Sequence, residues 1–152
     1  MEVVAWLVLR IVYAWMFLYP LVVLLRDFNA TVNVVSLVAP FAKEFFTYVM
    51  LAVMFFGALM VLLGVYAQIA GFMLCAYCII GQAVHYKLAK QTLANKLSDM
   101  ASEEDKQVLS QTIQLGVMGQ VTSAEKNAVL AAVGFFIMLM GSGPMSITAN
   151  LW

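Results

Sequence analysis

Four stretches of the chain carry apolar side chains almost without interruption, and each is long enough to cross a bilayer as a helix. The first, residues 3–25, holds a single charge, Arg10. At about 1.5 Å per helical residue it spans a hydrocarbon core of roughly 30 Å. A second span is predicted at about residues 45–66, following Lys43-Glu44 and free of internal charge. The third, residues 68–86, begins almost at once. Gly64, Gln68 and Gly71 bracket so short a turn that the second and third spans are expected to be antiparallel neighbours. The fourth covers residues 127–147, with Gly141, Gly143 and Pro144 ending or kinking it. These rods define an all-α class, a four-helix integral membrane bundle forming a single membrane domain over residues 1–152.

The intervals are of two kinds. After Arg26-Asp27, polar Asn29, Thr31, Asn33, Ser36 and Pro40 alternate with apolar residues, which suits a connector along the membrane interface. Residues 87–126 form a hydrophilic connector holding ten of the sixteen charged residues. Within it, Ser102 three residues before Asp105 resembles a capping box, and Val108, Leu109, Ile113 and Leu115 give the helix that follows an apolar side, so an interfacial helix is predicted there. Thr122 and Glu125 repeat the pattern just before the fourth span. Leu151-Trp152 would suit an interfacial anchor.

Composition supports this reading. Residues of the AVILMFWYC set make up 64% of the chain and charged residues 11%, against about a quarter charged in soluble domains. Eight basic and eight acidic residues cancel, so no electrostatic argument points to nucleic acid. The lipid bilayer and other membrane subunits are the expected partners. Arg26, Lys43, Lys87, Lys90, Lys96, Lys106 and Lys126 all lie on the connector side of the bundle. The positive-inside rule puts connectors 27–44 and 87–126 in the cytoplasm and the termini outside it, as in a bacterial inner membrane protein. Arg10 interrupts the first apolar run instead of preceding it, so that run is expected to be retained rather than cleaved.

Chemistry concentrates on the third span. Cys75, Cys78, Gln82 and His85 are spaced three, four and three apart, which places them on one stripe of a helix. Polar groups within a bilayer turn toward other helices, because an unsatisfied one costs several kcal/mol in hydrocarbon. One account makes the stripe a helix contact, with Ala67, Gly71 and Cys75 as a small-residue row and Gln82 and His85 bonding across helices. Another makes Cys75 and Cys78 a thiol redox pair, or with His85 part of a metal or quinone site. Cβ atoms three apart on an intact helix lie about 5 to 6 Å apart, too far for a disulfide, which needs about 3.8 Å. Two Cys and one His are also one ligand short of a zinc site, so no metal is predicted. Arg10 is the remaining candidate. It either snorkels to the headgroups or binds a quinone oxygen, a lipid headgroup or a partner subunit, with Tyr13 and Phe17 on its face.

Three segments resemble the DoxX family of small four-helix membrane proteins. They are Leu9-Arg10-Ile11 in the first span, Leu62-Leu63-Gly64-Val65-Tyr66 closing the second, and Gly141-Ser142-Gly143-Pro144-Met145-Ser146-Ile147 at the end of the fourth. The family's acidic residue in the second span has no counterpart here, and Arg26 stands nearest its basic residue late in the first. The resemblance implies association with membrane oxidoreductases, including a quinone-reducing subunit and redox-stress complexes. It leads to an accessory or structural subunit of a membrane redox or respiratory complex as the expected function. The alternatives are a quinone-linked thiol oxidoreductase using Cys75 and Cys78 with His85, or a lipid- or quinone-binding protein in which Arg10, Tyr13 and Gln82 hold the ligand.

Overall fold

The computed structural model describes residues 1–95 and 102–148. The Leu151-Trp152 anchor, and Lys96, lie outside the described residues. Among the described residues five α-helices and one 3-10 turn follow in order: α1 (Glu2–Arg26), α2 (Phe28–Val35), the turn Pro40–Ala42, α3 (Lys43–Leu63), α4 (Ala67–Leu93) and α5 (Glu103–Met140). Four of them, α1, α3 with its preceding turn, α4 and α5, are long and apolar enough to cross a membrane. The protein is an integral membrane helical bundle, with lipid as its solvent. Apolar side chains such as Val8, Trp15, Phe45, Phe56, Phe72, Ile79 and Phe135 point outward, where hydrocarbon accepts them and every helix satisfies its own backbone groups.

The interior is filled by one large side chain from each long helix. Phe17 of α1, Met54 of α3, Leu74 of α4 and Ile137 of α5 are all fully buried. Gly57 makes room for Leu74, since a Cβ there would stand 3.0 Å from its side chain. α4 and α5 approach more closely still. A Cβ on Gly71 would come within 2.7 Å of the Gly134 carbonyl oxygen, and one on Gly134 within 3.1 Å of the Cys75 nitrogen. The predicted small-residue row of the third span therefore does bring two helix backbones together.

The connectors are more ordered than the sequence suggested. α2 is capped by Asp27, whose side chain accepts from Ala30 N at 3.1 Å. It buries Val32 and Val35, while the Phe28 and Tyr48 rings meet at 5.0 Å. Lys87 of α4 donates to the Leu37 carbonyl at 3.0 Å and ties this connector to the third long helix.

The helix expected in the 87–126 connector is present, but it does not form a separate element. Ser102 caps it, its Oγ accepting from Asp105 N at 3.1 Å. From Glu103 the same helix continues unbroken into the fourth span and ends at Met140, a length of about 57 Å. Thr122 is not a second cap; its hydroxyl donates to the Met118 carbonyl at 2.9 Å within the helix. α4 likewise runs to Leu93, so the two form a long antiparallel hairpin. Gly81 lies beside Asn127, His85 beside Gln120, and Gly116 beside Thr92. Among the described residues α5 packs chiefly on α4, and it buries no residue before Ala124.

Candidate functional site

The turn between α3 and α4 builds a polar node around Arg10. α3 ends in a Schellman arrangement, with Gly64 left-handed at φ 67°. Val65 N donates to the Met60 carbonyl at 2.9 Å and Gly64 N to the Val61 carbonyl at 3.2 Å. Arg10 completes the end of the helix from a different element. It is 4% exposed, and its Nε donates to the Val61 carbonyl at 2.9 Å. One Nη donates to the Leu62 carbonyl and the other to the Met145 carbonyl at 3.1 Å. The last carbonyls of a helix have no intrahelical partner and carry its negative dipole end, so a buried cation is well placed there.

The chain after α5 folds back over this node. Ile147 N and Thr148 N both donate to the Gly64 carbonyl, at 3.0 and 3.2 Å. Tyr66 N, at a left-handed position with φ 45°, donates to the Thr148 hydroxyl at 2.8 Å. Ser142 and Ser146 bond to one another. Gly143, at φ 79°, lies so close to the Trp6 ring that a Cβ would stand 2.4 Å from it. Thus two of the sequence segments singled out above, the Leu62 to Tyr66 turn and the Gly141 to Ile147 tail, meet at the third, Arg10.

The sequence model of the DoxX family matches residues 5–86. The chain belongs to the DoxX family. In this DoxX protein the matched region takes in Arg10, the α3–α4 turn and the cysteine pair, and stops short of α5 and its tail. No curated protein and no solved structure matches the chain.

The other candidates do not converge on Arg10. Tyr13, one turn further along α1, is buried and donates its hydroxyl to the Leu130 carbonyl of α5 at 3.0 Å. Its ring packs edge-on to Phe17 at 5.1 Å, and Phe17 meets Tyr77 at 5.9 Å. Cys78 belongs to this same core and is fully buried, while Cys75 is half-buried; both are free thiols on an unbroken α4. Gln82 and His85 are half-buried further down the helix. From Cys75 to His85 the stripe extends about 15 Å along α4, so its members face one helix seam without meeting at a point.

His85 Nδ1 lies 2.7 Å from Gln120 Oε1, so the ring donates to that amide oxygen across the α4–α5 seam. Gln120 escaped the sequence reading, because a glutamine in a polar connector looks solvated. The antiparallel register of α4 with α5 is the signal that pairs it with His85. Arg10 does not snorkel outward. It turns inward to main-chain carbonyls, which leave no mark in a sequence pattern.

Proposed function

We propose that this DoxX protein is an accessory or structural subunit of a membrane redox or respiratory complex, seated in a bacterial inner membrane with both connectors in the cytoplasm. The observation that supports this reading is the engagement of its polar candidates. Arg10 is committed to three main-chain carbonyls, Tyr13 to a fourth, and His85 to Gln120. Cys78 is enclosed by apolar side chains. Groups held in this way set the distances between helices and fix the shape of the outer surface, which is what a packing subunit offers to larger neighbours.

Purification of the tagged protein in mild detergent tests the proposal. A membrane oxidoreductase component is expected to co-purify at fixed stoichiometry, and its activity is expected to survive the Cys75→Ser, Cys78→Ser double substitution. Loss of that activity with the complex intact would move the assignment to the thiol reading. Isolation of the chain with a bound quinone or lipid and no other subunit would move it to a binding role.

A further inference from the structure

The half of α5 that precedes Ala124 buries no residue and presents an apolar row to its surroundings. Val108, Leu115 and Met118 are 58%, 69% and 64% exposed. With Gln111 and Thr122 they follow a spacing of three, four, three and four, the cadence of a coiled-coil seam. At 100° per residue these positions and Gly119 fall within an arc of about 100°, and that arc is turned roughly 130° from the face that meets α4. Gln111, Gln114, Leu115 and Met118 together line a shallow groove on the helix.

Gly119 is the second, independent observation. Gly57, Gly71, Gly81, Gly116 and Gly134 each lie against a neighbour that a Cβ would touch, but a Cβ on Gly119 would meet nothing within 4 Å. Glycine inside a helix is unfavourable relative to alanine, and no contact among the described residues accounts for it at this position. The close approach of another helix would.

We propose that the Val108 to Thr122 face of α5 is a parallel, two-fold seam between two copies of this chain. Three features select a second copy over another partner. No charged residue occurs between Lys106 and Glu125, so the face is neutral and, with glutamine opposite glutamine, matches itself. Two copies inserted with one orientation in a single bilayer have parallel α5 helices, so a two-fold axis along the membrane normal sets each seam position against its own counterpart. At the membrane end of the seam, adjacent Glu125 and Lys126 are brought by that axis against charges of opposite sign. Gly119 then lets the two backbones close, as small residues do at membrane helix contacts.

Single cysteines in a Cys75→Ala, Cys78→Ala background test the seam in native membranes. Leu115→Cys and Met118→Cys are expected to form disulfide-linked dimers of twice the chain mass on oxidation, because a disulfide requires Cα atoms within about 7 Å. Ser110→Cys, off the arc, is expected to cross-link several-fold less. Adding Gly119→Leu is expected to abolish the Met118→Cys product without lowering the thermal unfolding temperature of the protomer. Equal cross-linking at positions 110 and 118, linkage to a different protein, or no linked product from any position would each overturn the proposal. The test is independent of the subunit's role, since it reads contact between identical chains.

Discussion

Replacing Arg10 by Met withdraws the donors of three carbonyls at once, those of Val61, Leu62 and Met145. Charged hydrogen bonds contribute about 1.5 to 3 kcal/mol each, but the substitution also removes the burial cost of the charge, so a net loss of about 2 kcal/mol is expected in detergent thermal unfolding. Arg10→Lys is expected to recover only part of this, because a single ammonium cannot span the three acceptors as the guanidinium fork does. Unchanged stability in Arg10→Met would mean that other groups serve those carbonyls. For His85 and Gln120, a double-mutant cycle with alanine is expected to return a coupling of about 0.5 to 2 kcal/mol; additive effects would deny the contact. Before folding, Arg10 could be recognised as a residue in need of partners, and Cys75 to His85 as one stripe. The identity of the partners was not legible, because carbonyl oxygens are common to every residue and Gln120 lies far from His85 in the chain.

Among the helices, the α4–α5 hairpin depends on how closely two backbones approach. Gly134→Ala would set a Cβ 2.6 Å from the Tyr13 hydroxyl and 3.0 Å from the Gly71 carbonyl. Overpacking of that kind is expected to cost about 1 to 3 kcal/mol, and combining it with Tyr13→Phe is not expected to restore stability, since the Gly71 clash persists. A Gly134→Ala protein as stable as the parent would show that the helices can separate freely. The four spans were visible from their apolar runs, since a bilayer imposes length and polarity together. The continuity of α5 was hidden for a physical reason. Helix propagation is blind to where water ends, so Glu125 and Lys126 mark a change of solvent without marking a change of backbone. Thr122 imitates a capping residue but turns its hydroxyl back to Met118.

For the molecule as a whole, the proposed orientation rests on the lysines. A cysteine at Ser102, the cap of α5, is expected to react with an impermeant thiol reagent from the cytoplasmic side alone; labelling from outside the cell would invert the proposed topology. The fold over Arg10 also has a consequence for biogenesis. Synthesis delivers Arg10 first, the Val61 and Leu62 carbonyls later, and Met145 later still, after all four long helices. From the synthesis of Arg10 to that of Met145 a guanidinium must therefore wait at a membrane-embedded helix with its cradle incomplete, so insertion of α1 should rely on waiting near headgroups or within the translocon until the tail emerges. Chains truncated before Gly141 would keep all four hydrophobic rods yet lack the closing strap, and quality-control proteases should remove them faster than chains that carry it.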